Sequence, residues 1–78
     1  ELEYGTDSIE IHKYDINPND QVLIVDDLLA TGGTAKATGN LVRRLNGKII
    51  SYVFLIELKG LNGRSHLKPT PVFNILEY

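Results

Sequence analysis

Two adjacent carboxylates, Asp26 and Asp27, close the apolar run Val22-Leu23-Ile24-Val25 and are followed by Leu28-Leu29-Ala30-Thr31-Gly32-Gly33-Thr34. These residue types in this order suit one composite ligand. Gly32 and Gly33 permit a tight turn and leave room for a bulky anion, while the N–H groups from Thr31 to Thr34, at the mouth of a helix, favour a phosphate monoester. The Thr31 and Thr34 hydroxyls add donors. A phosphate gains nothing from two acids beside it, so Asp26 and Asp27 are placed to accept hydrogen bonds from neutral hydroxyls a short distance away. Phosphate beside a diol describes a ribose 5-phosphate. Read apart, the acid pair is a strand end in water and Thr31-Gly32-Gly33-Thr34 is a turn with a helix cap, each a common chance match. The continuous thirteen-residue string from Val22 to Thr34 outweighs that reading. It lacks the Gly-Lys-Ser/Thr ending of a Walker A loop and does not fit G-x-G-x-x-G.

The elements that must position these residues are legible from pattern. Ser8-Ile9-Glu10-Ile11-His12 alternates apolar and polar with period two, which predicts an edge strand or hairpin arm. Asn17-Pro18-Asn19-Asp20 concentrates turn formers. Val22 to Val25 reads as a strand buried on both faces, ending at the acids. Thr34 to Asn46 carries Ala35, Ala37, Leu41, Val42 and Leu45 at helical spacing, with Arg43 and Arg44 in the last turns and Asn46-Gly47 as a left-handed stop. Gly39 inside that helix costs up to ~1 kcal/mol relative to Ala, which close packing against a neighbouring backbone would offset. Ile49 to Leu58 is a second apolar run rich in branched and aromatic residues, and strand, helix, strand makes a βαβ unit. In such a unit the loop after the first strand lies at the carboxyl edge of a parallel sheet, where open α/β folds bind ligands. Gly60 to Lys68 reads as a polar loop with one short helical turn, and Pro69-Thr70-Pro71 leads into a last strand, Val72 to Leu76. Tyr52, Phe54 and Phe73 are expected in the core, whereas Tyr14 and Tyr78 are undecided.

Composition narrows the functional classes. The 78 residues carry 8 Lys+Arg against 10 Asp+Glu, a net charge of −2 with scattered cations, which provides no electrostatic footprint for nucleic acid. No run approaches the roughly 18 apolar residues of a membrane span. Without cysteine there is neither a disulfide framework nor a thiolate metal site, and the cytosol is the expected compartment. His12 and His66 are read as solvent-facing, and Arg64 as half of a surface loop ion pair. The chain opens on Glu1-Leu2-Glu3-Tyr4 instead of Met, and a domain this short folds alone with little margin, so a fragment of a larger protein is expected.

The string from Val22 to Thr34 resembles the phosphoribosyl-pyrophosphate (PRPP) signature of the type I phosphoribosyltransferases, and Leu28 to Thr34 after two Asp is most similar to the branch that acts on adenine. Leu2-Glu3-Tyr4-Gly5 resembles the end of that family's mobile catalytic loop, and Glu57-Leu58 with Gly60-Leu61-Asn62-Gly63-Arg64 its C-terminal region. The resemblance implies an α/β Rossmann-like phosphoribosyltransferase core with a parallel sheet and flanking helix, truncated at the N-terminus. Residues 1–78 would be the C-terminal portion of one domain, with 1–7 the end of the mobile loop and 22–34 the PRPP motif. It implies transfer of the phosphoribosyl group from PRPP to adenine, giving AMP and pyrophosphate in purine salvage, with this piece alone inactive. Asp26 and Asp27 would bind the ribose 2- and 3-hydroxyls and disperse positive charge on the sugar. Ala30, Thr31, Gly32, Gly33 and Thr34 would hold the 5-phosphate. Glu3 would serve as general acid/base near the purine, Tyr4 would help close the loop, and Leu58 would line the adenine side. Magnesium would be carried by the pyrophosphate and water, with no protein metal cage. The remaining N-terminal portion and a second copy of the protein are the implied partners. A PRPP- or nucleotide-sensing regulator without catalysis, and a transferase for another base such as uracil or xanthine, are the competing readings.

Overall fold

The computed structural model describes residues 2–4, 9–11 and 16–78, with side chains described from residue 16 onward. The expectations for Gly5, His12 and Tyr14 lie outside the described residues. Strand β1 (Leu2–Tyr4) pairs antiparallel with β2 (Ile9–Ile11), Glu3 opposite Glu10, so the alternating segment forms a hairpin arm as its period suggests. The turn before the main sheet is built from its own polar groups. The Asn17 N–H donates to the Asp20 carboxylate at 2.8 Å and the Asp20 N–H to the Asn17 carbonyl at 3.0 Å, while Asn19 takes a φ of 70°.

The main sheet is parallel, in the order β3 (Gln21–Leu29), β4 (Lys48–Glu57), β5 (Val72–Glu77). Apolar patterning alone ends β3 at Val25. The strand instead runs through both acids to Leu29, because β4 is ten residues long and supplies ladder partners as far as Glu57. A bulge leaves Ile50 unpaired between Val22↔Ile49 and Leu23↔Ser51, and brings Ile24 level with Tyr52. The loop from β4 to β5 holds 3-10 turns at Lys59–Leu61 and Gly63–Leu67, one more than expected.

Helix α1 (Gly33–Arg44) connects β3 to β4. Ala35, Gly39 and Val42, spaced by four and three residues, form its buried stripe, whereas Ala37 faces solvent. The chain leaves the helix where expected, with Asn46 at a φ of 63° and the Gly47 N–H donating to the Val42 carbonyl at 3.0 Å. Gly39 is closely packed, but against side chains and not a backbone: a Cβ there would overlap the Tyr52 hydroxyl and lie 3.2 Å from Ile49 Cδ1.

The core gathers Ile24, Leu29, Ala35, Val42, Tyr52, Phe54 and Leu67, with Ile16, Val22, Ile49 and Val72 packed around it. Tyr52 and Phe54 lie nearly parallel, ring centroids 6.4 Å apart. The other sheet face is open. In register across it run Val25, Val53 and Phe73, and Val25 is 63% and Phe73 58% exposed. Two expectations are corrected by this: the first strand is not buried on both faces, and Phe73 is not a core residue. The physical reason is that α1 covers one face only, while side chains alternate across a strand. No helix among the described residues is long and apolar enough to cross a membrane.

Candidate functional site

The site lies where β3 ends and α1 begins, at the carboxyl edge of the parallel sheet. Between Leu29, buried in the core, and Ala35, on the buried face of α1, the chain reverses through Ala30, Thr31 and Gly32. Gly32 carries the reversal at a φ of 89°, a conformation that L side chains rarely adopt. No side chain caps the helix, and its first bond is from the Lys36 N–H to the Gly32 carbonyl at 2.9 Å. The N–H groups of the first turn therefore have no partner within the helix, and the positive end of its dipole faces the same way. Gly33 adds space: the nearest atom to a Cβ there is the Thr31 hydroxyl at 3.8 Å. The N-cap residue is Gly32, so the cap of this turn is a glycine and not a side-chain acceptor.

Beside this loop is a cavity of about 190 Å³ lined by Asp26, Leu28, Leu29, Ala30, Thr31, Gly32, Thr34 and Ala35. One acid and four of the five expected phosphate-loop residues share its wall. Asp27, Gly33 and Leu58 lie outside that wall. Asp27 is nonetheless tied to Asp26, because its N–H donates to Asp26 Oδ1 at 2.8 Å. Partial burial raises the Asp26 pKa above the ordinary carboxylate value, and the adjoining Asp27 carboxyl raises it further, against the lowering effect of the Asp27 N–H. The arrangement sets a carboxylate residue and the residues of an uncapped helix start around one cavity.

Leu58 reaches the same edge from β4. Its N–H donates to the Leu29 carbonyl at 2.9 Å, one residue before the loop. Glu3 and Tyr4 are on β1, and their side chains lie outside what the structure describes. Among the described residues no group of three His, Cys, Asp or Glu side chains gathers as for a metal ion. His66 and Tyr78 face solvent. Arg64 does form an ion pair with Glu57, yet the pair is not the surface contact expected, since Glu57 is only 2% exposed.

Gly63 forms a wall of the loop that no local sequence pattern signals. A Cβ on Gly32 would lie 2.5 Å from the Gly63 carbonyl oxygen, and a Cβ on Gly63 would overlap the Ala30 carbonyl and lie 3.0 Å from the Gly32 nitrogen. Two glycines thus meet backbone to backbone across thirty residues of chain. A glycine following Asn62, whose φ is 51°, hints at a tight loop, but nothing local says what it touches.

Residues 4–75 match the family model described as the phosphoribosyl transferase domain. The chain belongs to that family. An adenine phosphoribosyltransferase of Alkaliphilus oremlandii is 56% identical over all 78 residues, which span 45% of its length. The crystal structure of adenine phosphoribosyltransferase from Thermoanaerobacter pseudethanolicus superposes with a TM-score of 0.89 at 44% identity, covering 100% of this chain and 48% of that one. The enzyme from Saccharomyces cerevisiae, complexed with D-2,5-dideoxy-2,5-imino-altritol 1,6-bisphosphate and adenine, superposes at 0.84 with 44% identity, covering 96% of this chain and 44% of its own. The chain spans about half the length of the relatives it matches. Its parallel sheet and flanking helix are the phosphoribosyltransferase core expected from the sequence.

Proposed function

We propose that the protein containing this chain transfers the phosphoribosyl group of PRPP to adenine, forming AMP and releasing pyrophosphate. The observation that carries this reading is the cavity of about 190 Å³ with the Asp26 carboxylate and the uncapped start of α1 in one wall. A ribose 5-phosphate calls for both kinds of group, and the relatives of highest identity reported above are adenine enzymes.

In this reading the amides and hydroxyls from Ala30 to Thr34 hold the 5-phosphate, and Gly33 makes the room for it. Asp26 accepts hydrogen bonds from the ribose hydroxyls, with Asp27 beside it, and the two carboxylates favour the positive charge that builds on the sugar as its bond to pyrophosphate breaks. That charge is larger in the transition state than in the bound substrate, so the carboxylates accelerate the step and do not merely tighten binding. Adenine forms the new carbon–nitrogen bond, and Glu3 takes up the proton that this nitrogen loses. Tyr4 helps close the loop against water, and Leu58 lines the base side. Magnesium, when bound, neutralises the pyrophosphate that departs. Asp26 and Asp27 are the described residues that would face such an ion, which the pyrophosphate and water would otherwise hold.

The rest of the protein is the first partner of this chain, and a homodimer the second. PRPP is too highly charged to cross a bilayer unaided, so the reaction takes place where PRPP is made, and the cytoplasm is the compartment we propose. Isotope-labelled adenine incubated with PRPP, Mg²⁺ and the full-length protein is expected to give labelled AMP, in preference to competing uracil or xanthine. PRPP binding without AMP formation would instead make the protein a sensor, and preference for another base would reassign its substrate.

A further inference from the structure

Glu57 and Arg64 are not used by the chemistry described above, yet they are joined more firmly than any other pair of described side chains. Arg64 Nε donates to Glu57 Oε2 at 2.8 Å and Arg64 Nη2 to Oε1 at 2.6 Å, a two-pronged contact. The Asn74 amide of β5 donates to Oε1 at 2.7 Å. Glu57 is buried while the Arg64 side chain is 42% exposed, so the acid is fixed in the sheet and the arginine is the part drawn in from the loop. Charge-assisted, bidentate contacts of this kind set direction as well as distance.

What Glu57 holds is the far wall of the phosphate loop. Arg64 directly follows Gly63, which lies so close to Ala30 and Gly32 that a Cβ on it would overlap the Ala30 carbonyl. The turn Gly63–Leu67 has a second anchor at its far end, where Leu67 is buried in the core. Its near end, preceded by the solvent-facing residues Gly60 to Asn62, is held by the ion pair. Glu57 is itself registered opposite Leu29, the last residue of β3 before the loop. One carboxylate thus fixes the loop's backing in the frame of the strand from which the loop departs.

We infer that Glu57, acting through Arg64 and Gly63, is a positioning residue that keeps the amides of Ala30 to Thr34 in the geometry that receives the PRPP 5-phosphate. This rests on the phosphoribosyl reading of that loop. Releasing Arg64 lets Gly63 draw back, and the loop then pays in ordering each time a phosphate arrives. The binding of PRPP weakens, while the base side is little changed.

The test uses the full-length protein, with PRPP affinity measured by titration calorimetry and steady-state constants for both substrates. Glu57→Ala is expected to raise the Kd and KM for PRPP about tenfold, equivalent to about 1.4 kcal/mol, with the KM for adenine within about twofold. Arg64→Lys, which keeps the charge but loses the two-pronged contact, weakens PRPP binding by less than Arg64→Ala does. Gly63→Ala leaves the ion pair intact but crowds the loop directly, and reproduces the same selective loss. Circular dichroism at the assay temperature identifies the folded variants, and Arg64→Ala replaces any of them that does not fold. Unchanged PRPP affinity in a folded Glu57→Ala or Arg64→Ala protein overturns the inference. So does a loss in which the constants for PRPP and adenine move together. Wild-type protein that binds PRPP but makes no AMP from adenine would refute the adenine reading alone, since the calorimetric comparison still decides the role of Glu57.

Discussion

At the residue scale, the acid pair is the feature with the most direct chemical consequence. Asp26 accepts the Asp27 N–H and sits half-buried beside the Asp27 carboxyl, and the net effect holds its pKa above the ordinary value. A carboxylate that accepts ribose hydroxyls must be ionised, so acidification removes an acceptor from the sugar. In the full-length protein the KM for PRPP should therefore climb at a higher pH than an ordinary Asp would give. Asp27→Asn removes one charge that raises the Asp26 pKa, and should move this acidic limb to lower pH. Asp26→Asn should abolish the limb and lower kcat/KM for PRPP by about tenfold or more, since a hydrogen bond to a charged group is worth roughly 1.5–3 kcal/mol. A pH profile unchanged in both variants would show that Asp26 does not face the sugar. The acids themselves were evident in the sequence, as was the need for glycine at position 32. The pairing of Gly32 with Gly63 was not, because a contact between backbones leaves no mark on side-chain pattern.

At the scale of elements, α1 is the piece on which the site depends for its dipole and its first-turn amides, and Gly39 shows how it is seated. In an isolated helix Gly39→Ala would stabilise by about 1 kcal/mol. Here the added methyl meets the Tyr52 hydroxyl and approaches Ile49 and Arg43, so we expect net destabilisation of about 1–3 kcal/mol by denaturant unfolding of the full-length protein. Tyr52→Phe clears that hydroxyl and should recover most of the loss in the double variant. Additive effects of the two substitutions would refute the contact. The existence of α1 and of the three parallel strands was legible from apolar periodicity and the Asn-Gly stop. The extent of β3 was not, because whether Asp26 to Leu29 continue as a strand depends on the length of β4 beside them.

For the whole molecule, the open sheet face is the dominant fact. Leu23, Val25, Leu55, Phe73 and Ile75 all remain exposed on strands of a parallel sheet, an architecture that otherwise occurs with both faces covered. The chain also spans about half the length of its relatives, so we expect the remainder of the protein to cover this face. Residues 1–78 prepared alone should bind a hydrophobic dye strongly and self-associate, whereas the full-length protein should do neither. Val25→Thr with Phe73→Thr should weaken dye binding by the short chain yet destabilise the full-length protein by roughly 2–4 kcal/mol. A short chain that stays monomeric and dye-free would mean that the face needs no cover.

The order of residues alone determined the elements and the candidate site, because strand alternation, helical spacing and the succession of acids, small residues and glycines are local properties of the chain. It also carried the family likeness, since the string from Val22 to Thr34 is continuous. Tertiary structure decided which of the apolar residues are core, how far β3 runs, that Asp26 and not Asp27 lines the cavity, and that Glu57 is buried against Arg64. Each of these depends on what an atom meets from a distant segment, and burial is fixed by the partner that arrives, not by the residue that waits for it.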